Sequence, residues 1–104
     1  MGLENVGYHS IKDYLGIEEN SEQKHEYEKG DILMMTGGTI DHGILCGNAY
    51  NELRSTLELS GSECRAIGSE VRIHIEQADS IVYPDAMIIC GEIEVSEEDE
   101  QAIT

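Results

Sequence analysis

A chain of 104 residues with 39% hydrophobic residues is one domain, or part of one, and can bury one modest core. Its aromatic residues are five Tyr, with no Trp or Phe, so a core built mainly from Ile, Leu, Val and Met is expected. The formal net charge of -16 is the wrong sign for neutralising phosphates with Lys and Arg, and it argues against unaided nucleic-acid binding.

Ser10 followed by Ile11, Tyr14 and Leu15 has the spacing of an N-cap and one face of a short helix, which Gly16 is expected to end. Residues 18–22 are polar and read as a further helical turn or a loop. His25-Glu26-Tyr27-Glu28 and Asp31-Ile32-Leu33-Met34-Met35 are two strands joined by a Lys29-Gly30 turn. Thr36-Gly37-Gly38-Thr39 is a loop, and Thr39 or Asp41 can cap the next helix. From residue 41 to about 59, Leu45, Ala49, Leu53 and Leu57 recur every four residues with Ile44 alongside, predicting the main helix. Ser60-Gly61-Ser62 closes it.

Cys64-Arg65-Ala66-Ile67 predicts a strand. Val71, Ile73 and Ile75 then alternate with Arg72, His74 and Glu76, the pattern of a half-buried strand with one solvated polar face. Gln77-Ala78-Asp79-Ser80 is the turn of a second hairpin. The run from Ile81 to Cys90 is apolar on both faces except at Asp85 and predicts one central strand, with Pro84 marking an edge or bulge. Six of the 22 acids lie in residues 92–104, leaving 16 acids against 6 basic residues before them, a balance of -10. That terminal stretch is expected to be a flexible, solvated segment beside a single domain of residues 1–91. The order helix, hairpin, helix, strands points to an α+β fold, a mixed sheet with one main core helix.

Cys46, Cys64 and Cys90 are odd in number and form no C-x-x-C pair, which predicts three reduced thiols in a cytoplasmic protein. No apolar run approaches a membrane span, and the N-terminus lacks the pattern of a signal peptide.

Asp85 is the sharpest chemical signal. A carboxylate within a run of Ile, Val and Met is costly to bury unless it is paired or bound to a cation such as Mg²⁺; alternatively it hydrogen-bonds a turn at a strand end. His42, after the Gly-Gly loop, suits a ligand, a general base or a phosphate contact, or else it is a local cap. Glu26 is a third candidate, or an exposed strand acid. Arg72, His74 and Glu76 line either a cleft or a solvated sheet face.

Four stretches occur here in the order used by one family: residues 24–32, Met35-Thr36-Gly37-Gly38-Thr39 with Asp41-His42, Ile67-Gly68-Ser69-Glu70-Val71-Arg72, and Tyr83-Pro84-Asp85 with Cys90-Gly91. From about residue 10 to residue 91 the chain resembles the Uma family of putative restriction endonucleases, within the PD-(D/E)XK nuclease superfamily. The resemblance implies a restriction-endonuclease-like fold and Mg²⁺-dependent hydrolysis of nucleic-acid phosphodiesters. It also implies catalytic roles for Asp85, Glu26 and His42, with Asp85 and Glu26 as metal ligands.

The family's later acid and downstream Lys have no counterpart here, because no Lys or Arg comes after Arg72. Glu94-Val95-Ser96 follows Asp85 too closely, and Glu22-Gln23-Lys24 has Glu-x-Lys spacing but lies upstream, so both are read as coincidental. The resemblance therefore implies a domain incomplete at its C-terminal side and inactive alone. Its exposed strand edges would invite a homo-oligomer. The alternative function is a non-catalytic, acidic protein-interaction or regulatory module that retains the nuclease fold.

Overall fold

The computed structural model describes residues 9–104. Helix α1 (Ile11–Glu19) leads into β1 (His25–Glu28), β2 (Asp31–Met34) and the long helix α2 (Ile40–Leu59). Strands β3 (Arg65–Ile67), β4 (Arg72–Ile75), β5 (Ser80–Val82), β6 (Met87–Ile89) and β7 (Ala102–Ile103) complete the order. Five strands form a mixed sheet in the order β2-β1-β5-β4-β7, in which only the β4–β7 pairing is parallel among those described. A second sheet pairs β3 with β6. The α+β class with a mixed sheet, consistent with a restriction-endonuclease-like fold, is as the sequence predicts.

Helix α1 starts where the sequence places it. Ser10 and Asp13 form a reciprocal capping box, each side chain accepting the other's backbone N–H at 3.1 Å. Gly16 does not end the helix, which runs on to Glu19. The extra turn brings the Glu18 carboxylate over the sheet, where it accepts the His25 N–H at 3.0 Å. A single glycine costs a helix only about 1 kcal/mol, and those contacts outweigh it.

Helix α1 covers one face of the large sheet through Tyr14, Tyr27 and Ile81, with Ile11, Leu15 and Ile32 around them. The Tyr14 and Tyr27 rings lie 5.9 Å apart and tilted. The core is thus built around tyrosines and not around Leu and Met. Each hydroxyl reaches a backbone carbonyl, Tyr14 that of His25 at 2.7 Å and Tyr27 that of His9 at 3.0 Å. Those bonds are what allow such polar rings to be buried.

The faces of β4 are inverted relative to expectation. Arg72 and His74 are buried, whereas Ile73 is half-buried and Ile75 exposed. The reason lies downstream, in the acidic segment expected to be solvated. The Arg72 guanidinium donates to both oxygens of buried Asp99, at 2.5 and 2.8 Å, and His74 Nδ1 lies 2.7 Å from the Ser96 hydroxyl. Residues 92–104 therefore do not stay clear of the domain. They fold back, bury Ser96 and Asp99, and add β7 alongside β4.

Arg72 also donates to the Tyr83 hydroxyl at 3.1 Å, and that hydroxyl donates to Glu18 at 2.5 Å. Burial opposes the Arg72 charge, but the bonds to Asp99 and Tyr83 outweigh it and hold the guanidinium more firmly protonated than usual. Burial, and after it the bond to Glu18, raises the Tyr83 pKa. Among the described residues, every buried side-chain polar atom has a partner.

Two further expectations are corrected. The predicted single strand from Ile81 to Cys90 is divided, with β5 in the large sheet and β6 in the small one. Pro84 lies in the gap, where it can donate no ladder hydrogen bond. The three cysteines are not all reduced, because Cys64 and Cys90 form a disulfide. Arg65 faces Ile89 in the β3–β6 ladder, so Cys64 and Cys90 are the next cross-strand pair in that register. No helix among the described residues is long and apolar enough to cross a membrane.

Candidate metal centre

Helix α2 spans 20 residues and holds none that is fully buried. The residues that turn partly inward are Cys46, Tyr50, Leu53 and Leu57, while Leu45 and Ala49 are exposed. The contact stripe is therefore rotated by one position from the Leu45–Ala49 prediction at its N-terminal end. This rotation puts Cys46 on the inner side, with His42 one turn before it, because residues four apart share a helix face. Thr39 fixes where the helix begins, its hydroxyl accepting the His42 N–H at 3.1 Å. The imidazole then lies against Gly38, where an added Cβ would stand 3.0 Å from His42 Cδ2.

Opposite this turn, the connection from β5 to β6 carries Asp85. Its side chain is 62% exposed, so it is not the buried acid that the surrounding apolar run suggests. Pro84 breaks the strand and turns the carboxylate toward α2. His42 Nε2 lies 3.5 Å from Asp85 Oδ2, and Cys46 Sγ lies 3.3 Å from the same nitrogen. One ligand atom from each of these three residues falls within 4.8 Å of the others. They border a cleft of about 540 Å³ that Lys24, Thr36, Tyr50 and Ser69 also line.

Of the three candidates from the sequence, the structure brings Asp85 and His42 together. Glu26 lies outside that group. It is half-buried on β1, where its carboxylate accepts the Tyr83 N–H at 3.1 Å, two residues before Asp85. It is placed to position the end of β5.

Two cleft residues escaped the sequence reading. Cys46 carried no signal except its i+4 spacing from His42, which is a chelating spacing only if both side chains face a third ligand. Lys24 is the other, in the Glu22-Gln23-Lys24 stretch read as coincidental. Its ammonium is bound to the Ser69 carbonyl at 2.9 Å and to Glu70 at 2.7 Å, and it sits 5.2 Å from the centre of the Tyr83 ring.

The donor set has consequences for the metal. Mg²⁺ demands octahedral oxygen ligation, and this group offers one carboxylate beside an imidazole and a thiol. With one carboxylate from this group, a Mg²⁺ ion would draw its remaining oxygens from water or a substrate phosphate.

Known proteins share this sequence pattern. Residues 11–104 match the model of a family described as "Uma2: Putative restriction endonuclease". Among curated proteins, the chain is 29% identical over 92 residues to the uncharacterized protein sll1609 of Synechocystis sp., covering 88% of this chain and 51% of that one. It is 32% identical over 84 residues to the uncharacterized protein slr1290 of the same organism, covering 78% of this chain and 42% of that one. The chain thus spans about half the length of the curated relatives it matches. Restriction-endonuclease-like families generally use a divalent metal, and a cleft with Asp85 at its rim suits that chemistry. With the match running through α1, both sheets and the cleft, the chain belongs to the Uma2 putative restriction endonuclease family.

Proposed function

We propose that this domain takes part in hydrolysing phosphodiester bonds of a nucleic acid, with the scissile phosphate in the cleft between α2 and the β5–β6 connection. The observation that carries this reading is the pairing of His42 and Asp85, 43 positions apart in the chain and 3.5 Å apart in space. The first turn of α2 borders the same opening through Thr39, His42 and Gly43, and the positive end of its dipole favours an anionic phosphate nearby. His42, half-exposed there, presents Nε2 toward Asp85, so that the two could hold a cation that would activate the attacking water. Asp85 anchors the cation side of the cleft, and Glu26 holds the strand end that carries it. A divalent cation, when bound, would add to the single positive charge that Lys24 brings to the cleft. That offsets the net charge of -16, which alone opposes nucleic-acid binding.

Since the curated relatives are about twice as long, cleavage is proposed for the whole protein and is best measured on the product of the full-length gene. The assay is cation-dependent cleavage of plasmid DNA and of RNA by wild type and Asp85→Ala. Removing even outer-shell partners of a metal costs about 10–100-fold, so the variant should lose roughly 100-fold or more. Equal cleavage by the two proteins would overturn the assignment. Cation binding without any cleavage would favour a non-catalytic relative that keeps the fold.

A further inference from the structure

We infer that His42, Cys46 and Asp85 form a site for a borderline-soft divalent cation of the Zn²⁺ or Co²⁺ type, with Cys46 bound as thiolate. This deepens the functional reading by naming the class of cation, and it rests on that reading through the shared pair His42 and Asp85.

The geometry argues for it first. Typical Zn–N and Zn–O bonds near ~2.0 Å and Zn–S near ~2.3 Å give tetrahedral edges of about 3.5 Å for N···S and about 3.3 Å for N···O. The structure has 3.3 Å from His42 Nε2 to Cys46 Sγ and 3.5 Å from the same nitrogen to Asp85 Oδ2. One imidazole nitrogen holds either one proton or one lone pair, yet here it faces both a thiol and a carboxylate. The remaining edge, between Cys46 Sγ and an Asp85 oxygen, lies within 4.8 Å, so one cation can draw the three groups together.

Ligand type argues second. Thiolate and imidazole select Zn²⁺ and its neighbours over Mg²⁺, which binds oxygen. Cys46 is free to serve, because Cys64 and Cys90 are committed to their disulfide. His42 and Cys46 stand one turn apart on the same helix face, so folding α2 sets their spacing before any ion arrives. Three protein ligands leave a fourth position toward the cleft, the arrangement of zinc sites that keep a water or substrate position open.

The test is Co²⁺ titration of the metal-free chain, with the Cys64–Cys90 disulfide intact, monitored by absorption. Wild type should develop a thiolate-to-cobalt charge-transfer band together with the visible bands of tetrahedral Co²⁺, and Zn²⁺ should displace both. Cys46→Ser should abolish the charge-transfer band and weaken Zn²⁺ binding by roughly tenfold or more, since it removes a direct ligand. In parallel, Zn²⁺ but not Mg²⁺ should protect Cys46 from alkylation in wild type, a readout that needs no variant to fold. Co²⁺ binding without the charge-transfer band, or unchanged Zn²⁺ affinity in Cys46→Ser, would overturn the inference. If Mn²⁺ still binds through Asp85 in that case, the functional reading survives; if no cation binds wild type, both fail.

Discussion

Replacing Asp99 by Ala should destabilise the domain by about 3–5 kcal/mol, the usual cost of breaking a buried ion pair by removing one partner. The Asp99 side chain is 2% exposed and that of Arg72 9%, so neither ion is screened by solvent. Without Asp99 the guanidinium stays buried, left with its hydrogen bond to the Tyr83 hydroxyl. The substitution also removes the acceptor of the Gln101 N–H, bonded at 3.1 Å, just before β7 begins. A loss of that size is a large share of the roughly 5–15 kcal/mol that holds a typical domain folded. Guanidinium denaturation monitored by circular dichroism reads it. The double variant Arg72→Met with Asp99→Leu should recover most of the loss, because it leaves no buried charge unpaired, although the Gln101 N–H still lacks its acceptor. A loss below about 1 kcal/mol in Asp99→Ala, the range of a surface ion pair, would mean that the acidic segment is not packed against β4.

Removing the Cys64–Cys90 disulfide should cost about 3 kcal/mol. The bridge closes a loop across 26 positions, and chain-entropy arguments assign about that much to a loop of this length. The effect should be larger than for an isolated surface bridge, because β3 and β6 form only a two-stranded sheet. A two-stranded ladder is marginal without support from elsewhere. The disulfide and the packing of α2 on β3 provide that support. Comparing Cys64→Ser/Cys90→Ser with wild type by denaturation measures the loss. Equal stabilities would contradict the pairing of β3 with β6 in this register. Because β6 ends the connection that carries Asp85, the double variant should also weaken cation binding at the cleft.

The local elements were legible because their signals are local. The Ser10 cap, the Lys29-Gly30 hairpin and the extent of α2 each rest on residues within a few positions of one another. The hairpin turn shows why: Lys29 and Gly30 both take positive φ, 48° and 93°, as a two-residue turn between twisted strands requires. What failed depended on distant partners. Alternation along β4 puts Arg72 and His74 on one face but cannot say that Asp99 and Ser96 will arrive to bury that face. The same blindness made residues 92–104 look like a solvated acidic run. Net charge describes such a segment on average and does not show that Asp99 will meet the buried Arg72 guanidinium.

The candidate site was half legible for a similar reason. Asp85 stood out as a lone acid in an apolar run, though the structure exposes it at a strand break and does not bury it. His42 stood out beside the Gly-Gly loop. Cys46 did not, because the apolar stripe of α2 was phased on Leu45 and Ala49, which are exposed. A helix with partners on only one side permits more than one phase, and the long-range contact with the β5–β6 connection selects the phase that pairs Cys46 with His42.

Everything proposed for the cleft depends on Asp85 and His42, carried by separate elements, acting together on one cation. Calorimetric titration of Zn²⁺ into wild type and Asp85→Ala reads this without intermediaries, since Asp85 is exposed and its loss should leave the fold intact. Wild type should show saturable one-site binding, and the variant an affinity lower by roughly tenfold or more. Indistinguishable isotherms for the two proteins would contradict a shared site.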